Sequence, residues 1–251
     1  MTTYRAWNLK PLDRSALKEL TAAIAQQSTE ELENRAMETM DGEPWSEEKY
    51  QMTLAAQQKE AGLLAGILAA RGITDPAEAL TLLSGEEELT DPMLLTDMDK
   101  ACARILDAID REETIVVFGD YDVDGVTATA LLYQHLKGMG ANVKCMLPSR
   151  EGDGYGLSKN AIQSIHDKGY QLIVTVDNGI SALEEAEFAA SLGVDLIVTD
   201  HHLPHDTLPK AVAVVDPRRA DDTSPFKGLC GAGVAFKLCA ALEAARRRTM
   251  L

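Results

Sequence analysis

From Glu113 onward the chain alternates short, near-continuous apolar runs with stretches of helical periodicity. No other feature limits the possible folds as much. The runs are Thr114–Phe118 (TIVVF), Val143–Leu147 (VKCML), Leu172–Val176 (LIVTV), Leu196–Thr199 (LIVT) and Ala211–Val215 (AVAVV). Between them lie Val126–Met139, Leu157–Lys168 and Ala182–Leu192, followed in turn by Gly140, Gly169 and Gly193, where a helix should stop. A strand with one wet face alternates apolar and polar residues. These runs do not, so both of their faces are covered. The chain therefore reads as α/β, a parallel sheet with helices on both faces, closed by a last helix over 231–248.

The first part reads as mostly helical. A short helix is expected near Ser15–Gln27, capped by Asp13 or Ser15. Residues 29–60 are acidic and polar, with a turn at Asp41-Gly42-Glu43-Pro44. The plain reading of 28–58 is a solvated helical hairpin, and the alternative is a partner surface. A helix from Glu47 to about Arg71 should end at Gly72, and a shorter one should run from Asp75-Pro76 to Gly85, with Glu86–Glu88 solvated. Asp97–Asp110 places Met98, Cys102, Ile105 and Ile109 on or near one stripe. The expected division is a helical region over 1–75 and the α/β domain over 76–251.

Beyond the carboxyl ends of the apolar runs lie the groups that carry chemistry. Ligands in an open parallel sheet bind at that edge. After Phe118 comes Gly119-Asp120-Tyr121-Asp122-Val123-Asp124-Gly125; after Val176, Asp177-Asn178-Gly179; after Thr199, Asp200-His201-His202; after Val215, Asp216-Pro217. Clustered carboxylates raise one another's pKa unless cations neutralise them. Carboxylate oxygen with imidazole nitrogen and no thiolate suits two Mn²⁺ or Mg²⁺ ions, with Asp177 the natural bridge between them. The spacing of Asp120, Asp122 and Asp124 suits a loop wrapped around cations. An EF-hand is argued against, because a strand precedes the loop and its twelfth position is Leu131. Asp200 or Asp216 taken singly is as readily a helix cap, and His135, His166 and His205 read as packing or loop residues.

Two further segments bear on the same edge. Pro148-Ser149-Arg150-Glu151-Gly152-Asp153-Gly154-Tyr155-Gly156-Leu157-Ser158 offers Arg150 as a forked phosphate ligand and Ser158 as a helix cap. Tyr155 could stack on a base or simply pack. Lys227–Lys237 carries three glycines into the last helix, where free N–H groups could hold an anion or the loop could merely pass close to the sheet. Neither a phosphate-binding GxxxxGK[ST] loop nor a dinucleotide fingerprint is present.

The net charge of −16 counts against long polyanions as partners. Residues 1–110 hold −11 of it and residues 111–251 only −5, and cations on the clustered aspartates would cancel most of the latter. No apolar run approaches the roughly 20 residues of a membrane span. The start, MTTYRAWNLKPLDR, has no apolar core of a secretory signal. The four cysteines, widely spaced and without CxxC, read as small buried apolar residues in a reducing compartment. The expected location is cytoplasmic.

GDYDVDG (119–125), TVDNG (175–179) and VTDHH (198–202) together resemble the first three motifs of the DHH phosphoesterase family, in its bacterial single-stranded-DNA exonuclease branch. DPMLLTDMDKA (91–101), PSREGDGYGLS (148–158), VVDPRR (214–219) and LCGAGVAFKL (229–238) extend the likeness. It implies metal-dependent 5′-to-3′ hydrolysis of single-stranded DNA to 5′-mononucleotides in recombination and repair. It also implies a monomer, with a single-strand-binding protein and a RecQ-like helicase as partners. By this resemblance Asp122 binds the first ion, Asp124 and His201 the second, and Asp177 bridges. Asp120 supports the site as a further ligand, His202 and Arg150 contact substrate phosphate, and Asp200 orients a histidine.

The likeness is thin over 1–70. The resemblance further implies a later aspartate ligand, in a stretch similar to VADVVPL, and two more domains. None follows Phe236, so a C-terminally incomplete chain is expected. Two other readings stand beside it. One is a small-substrate phosphodiesterase or pyrophosphatase, although those resemble a first motif with histidine and proline before DxD. The other is a scaffold without turnover.

Overall fold

The computed structural model describes residues 13–37, 45–85, 89–148 and 156–249. Arg150, Tyr155 and Glu86–Glu88 lie outside them. The chain divides into two compact units, Met1–Leu89 and Thr90–Leu251.

The first unit holds α1 (Arg14–Met37), α2 (Glu47–Ala70) and α3 (Pro76–Ser84). Leu20, Ile24, Ala61, Ala65, Leu68 and Ala79 form its apolar centre. Ser46 caps α2 by accepting from Lys49 N, and Asp75 caps α3 by accepting from Glu78 N. The third helix, read from sequence as part of the α/β region, thus falls in the first unit. The first helix also runs about ten residues beyond its expected end. Its extension is polar, held by Gln26–Glu30 and Gln27–Glu31 hydrogen bonds one turn apart, with Leu32 as its buried residue.

The second unit is the expected α/β layer structure. Its elements are α4 (Met98–Asp110), β1 (Thr114–Phe118), α5 (Val123–Gly138), β2 (Asn142–Met146), α6 (Lys159–Asp167), β3 (Leu172–Val176), α7 (Leu183–Ser191), β4 (Asp195–Thr199), β5 (Ala213–Val215) and α8 (Gly231–Thr249). All pairings are parallel, in the order β2-β1-β3-β4-β5. Alternate strand residues serve opposite cores. Ile115, Val117, Leu172, Val174 and Ile197 pack with buried residues of α4, α5 and α8. Val116, Phe118, Ile173, Leu196 and Val198 pack with those of α6 and α7. Gly140, Gly169 and Gly193 all have positive φ and end their helices as expected.

Two expectations need correction. The Asp120–Asp124 stretch is not wholly a loop. Helix α5 already begins at Val123, with Asp122 as its cap accepting from Gly125 N at 2.9 Å and Asp124 in its first turn. An acidic first turn complements the helix dipole, and this favours the early start. The cysteines are also not uniformly buried: Cys145, on edge strand β2, and Cys230, before α8, are exposed.

Because strand order reverses between β1 and β3, the loops after these two strands diverge and open a crevice at the carboxyl edge. The far edge of the sheet, β5, is closed by side chains. Val214 N donates to Asp97 Oδ2 at 3.3 Å, and Arg219 donates to Val214 O. Arg219 also forks to Asp97 (2.7 Å) and Asp221 (2.6 Å). Nearby, Asp222 accepts from Thr96 N at 2.8 Å and pairs with Lys227, fixing the loop that leads into α8. Arg219→Met should therefore leave Asp97 and Val214 O short of partners. Urea denaturation should show a loss of about 2 kcal/mol, discounted for the exposure of Asp221.

Candidate metal centre

At the crevice, four strands end in acids. β1 delivers Asp120 directly and Asp122 and Asp124 through the start of α5. β3 delivers Asp177, β4 delivers Asp200, His201 and His202, and β5 delivers Asp216. Asp120, Asp177, Asp200 and Asp216 are each at most 1% exposed, so their surroundings decide their charge. Asp177 sits at φ +63, a strained conformation for a residue with a side chain.

The chain positions these carboxylates with its own N–H groups. Asp120 Oδ1 accepts from Tyr121 N at 2.7 Å. Asp124 accepts from Gly231 N and Ala232 N, both at 2.7 Å. The glycine-rich entry to α8 thus does hold an anion, and the anion is the protein's own Asp124. Asp200 is more fully engaged. Oδ1 accepts from His201 N (2.7 Å), His202 N (3.2 Å) and His202 Nδ1 (2.7 Å), and Oδ2 accepts from Ile180 N (2.9 Å). A carboxylate so occupied is a poor metal ligand and a good anchor for an imidazole.

Other oxygens are left bare. Asp120 Oδ2, Asp177 Oδ1 and Asp216 Oδ2 are buried without an aligned hydrogen bond. His201 Nε2 lies 3.0 Å from Asp177 Oδ1 and 3.6 Å from Asp124 Oδ2. Among the described residues, two sets of donor atoms each fall within 4.8 Å of one another: Asp177 with His201 and His202, and Asp177 with Asp120 and Asp122. Asp177 belongs to both. Unpaired buried carboxylate oxygens with imidazole nitrogens are the donor chemistry of hard divalent cations, so the residues fit a pair of such ions. Asp124 lies beside His201 but in neither set.

The electrostatics agree. Burial, with the charges of Asp124 and Asp122, pushes the Asp177 carboxyl up to about 7. Burial likewise pushes Asp216 up to about 7, against the Arg218 N–H and with the charge of Asp200. Burial would raise Asp124 too, but the N–H groups of Ala232 and Gly231 outweigh it and hold it below the usual carboxylate range. Burial and the neighbouring His202 lower His201. His202 itself is raised, because its bond to Asp200 overcomes its burial.

The structure brings Asp120, Asp122, Asp124, Asp177, Asp200, His201 and His202 to one edge; Arg150 lies outside the described residues. Sequence reading missed Asn178, Ile180 N and Gly231. A methyl at Gly231 would overlap the Asp177 carboxylate, 2.6 Å from its Cγ, and nothing in GAG could signal a contact with a residue so distant in the chain.

This geometry makes metal-free stability depend on pH. Asp177 and Asp216 hold more protons folded than unfolded between their ordinary 3.8 and about 7. Their contribution should therefore be fully present in acid and fall as pH rises through that window. Melting curves from pH 5 to pH 8 should show a drop of several degrees, reversed by millimolar Mn²⁺ at pH 8. Gly231→Ala should lose about 1–3 kcal/mol of stability and bind Mn²⁺ more weakly, as read by urea denaturation and calorimetric titration.

Comparison with known proteins places this centre in a family. Residues 114–250 match the DHH family, N-terminal domain. The chain is 43% identical over 192 residues to the single-stranded-DNA-specific exonuclease RecJ of Bacillus subtilis, covering 76% of this chain and 24% of that protein. With the Escherichia coli exonuclease of the same name it shares 42% over 182 residues, 72% of this chain and 31% of that one. The chain thus spans about a quarter to a third of the length of these curated relatives. Among solved structures, an exonuclease RecJ bound to manganese superposes with a TM-score of 0.56 at 38% identity, over 61% of this chain and 38% of that one. RecJ from Thermus thermophilus in complex with Mn²⁺ gives 0.56 at 31% identity, over 74% and 26%. With its acids and histidines gathered at the carboxyl edge of a matching sheet, the chain belongs to the DHH family.

Proposed function

We propose that this chain is the catalytic-core portion of an exonuclease that hydrolyses single-stranded DNA from its 5′ end to 5′-mononucleotides with two Mn²⁺ or Mg²⁺ ions. The observation that carries the reading is the membership of Asp177 in both donor sets, which is what a bridged metal pair requires. The substrate class rests on the names of the relatives, single-stranded-DNA-specific exonucleases, and the metal on their manganese-bound structures.

In this reading Asp122 with Asp120 holds one ion, His201 with Asp124 the other, and Asp177 serves both. Asp124 accepts one N–H on each oxygen and a further bond from the Cys230 side chain, which leaves a lone pair of the carboxylate for a cation. Bound ions would polarise the scissile phosphate and offset the charge that builds on its oxygens. The chain's own groups do the rest. Asp200 accepts from His202 Nδ1–H and so fixes the ring, leaving Nε2 to face a phosphate oxygen or the departing 3′-oxygen. Arg150 contributes a forked contact to substrate phosphate.

The test is release of mononucleotides from a 5′-ended single-stranded oligonucleotide by the purified chain. The expected result is manganese-dependent release that falls at least about a hundredfold in Asp177→Ala. Turnover of pyrophosphate or a cyclic dinucleotide, with none on long single strands, would replace the substrate class. A folded, manganese-binding chain inert on every phosphoester would replace the enzyme with a scaffold.

A further inference from the structure

The chain leaves β5 through a tight turn with Pro217 and Arg218 at its middle. Asp216 ties the turn twice. Its carbonyl accepts from Arg219 N at 3.3 Å, and its Oδ1 accepts from Arg218 N at 2.7 Å. Aspartate followed by proline suits the opening of such a turn, since the ring sets the backbone and the carboxylate takes a following N–H. Asp216 is fully buried, so the turn is anchored at the carboxyl edge, the edge that also carries the metal-ligand candidates.

The two arginines of this turn have opposite surroundings. Arg219 is buried and engaged by Asp97, Asp221 and Val214 O. Arg218 is exposed, and among the described residues its guanidinium makes no hydrogen bond and no ion pair. The chain has 40 acidic residues and 24 basic ones, so carboxylate partners are abundant. This guanidinium stands clear of them beside an acidic rim. Closing the sheet edge, the task of Arg219, does not involve it.

The charge of Arg218 nevertheless reaches the centre. Burial and His202 lower His201, and the Arg218 charge adds to them. Burial raises Asp216, while the N–H of Arg218 and also its charge oppose the rise. The strand order fixes where along the edge this happens. Asp200, His201 and His202, at the end of β4, stand between Asp177, at the end of β3, and the turn after β5. Two strand spacings, about 10 Å, separate the ends of β3 and β5. A phosphate held by ions at Asp177 is therefore not the one opposite Arg218. The place fits the next phosphate of the same strand.

We propose that Arg218 is a substrate-binding residue that holds the phosphate next to the one at the metal centre. A guanidinium meets a phosphodiester through two parallel N–H bonds, whatever base the nucleotide carries. Arg218 thus contributes affinity and register without sequence preference. Inorganic phosphate has no neighbouring phosphate and so makes no use of it. The proposal rests on the nuclease reading above and deepens it, giving the strand a second anchor on the β5 side of the centre.

The test is fluorescence anisotropy of a 3′-labelled phosphorothioate single strand, which resists cutting, on the manganese-loaded chain across a series of salt concentrations. Calorimetric titration with Mn²⁺ and with inorganic phosphate accompanies it. In Arg218→Ala the strand should bind about tenfold more weakly. The slope of log affinity against log salt should become shallower by about 0.7, the share of one phosphate contact on a single strand. Melting temperature, Mn²⁺ affinity and inorganic phosphate affinity should stay at wild-type values. Arg218→Lys should keep the wild-type slope and recover part of the affinity, since it restores the charge without the fork. Strand affinity and salt slope unchanged in Arg218→Ala overturn the proposal. So does a loss of inorganic phosphate binding equal to that of the strand, which would move Arg218 to the metal-held phosphate. A wild-type chain that binds Mn²⁺ and inorganic phosphate but no single strand strikes the nuclease reading instead, and the proposal with it.

Discussion

Like charges crowded at one rim of a parallel sheet are the constraint around which the second unit is built. The chain meets it by giving most of the acids a backbone tether. Asp120 takes the next residue's N–H, Asp122 the N–H of Gly125, Asp124 two from the start of α8, and Asp216 that of Arg218. These tethers hold the side chains in place without neutralising the site, because Asp120, Asp177 and Asp216 each keep a buried oxygen with no aligned hydrogen bond among the described residues. Asp200 differs in taking four donors, three of them on Oδ1, where Asp124 takes one N–H on each oxygen. The number of donors on each carboxylate thus separates groups that can still meet a cation from the one that orients a histidine. In a buried setting, an oxygen left unpaired is costly enough to require a reason.

The fold was legible because its strands are buried on both faces. Continuous runs such as LIVTV leave no other placement, and the glycines after each helix mark where the chain turns back. What escaped detection was held by polar or remote interactions. The extension of α1 rests on glutamine–glutamate pairs that carry no apolar period. The early start of α5 depends on Asp122 acting as a cap, a role masked by its place in a motif that reads as a cation loop. Arg219 looks like part of a basic pair after β5, yet it closes the open edge of the sheet.

The site was legible to the same degree and for the same reason. A parallel sheet sends every strand's successor to one edge, so Asp177 and Asp200–His202 could be brought together from sequence alone. Which acid does what could not be read, because that depends on N–H groups from elsewhere. Asp124 is lowered, against its burial, chiefly because Ala232 and Gly231, more than a hundred positions away, present their N–H groups to it. Gly231 can approach so closely only by lacking a side chain.

Two helix starts flank the centre, and their contrast shapes it. The first turn of α8 has no acid, so its positive end is free to bind Asp124. The first turn of α7 carries Glu184 and Glu185, so its positive end is already spent. On the α8 side the chain itself supplies part of the countercharge that the aspartates need. On the α7 side it supplies none and adds acceptors instead.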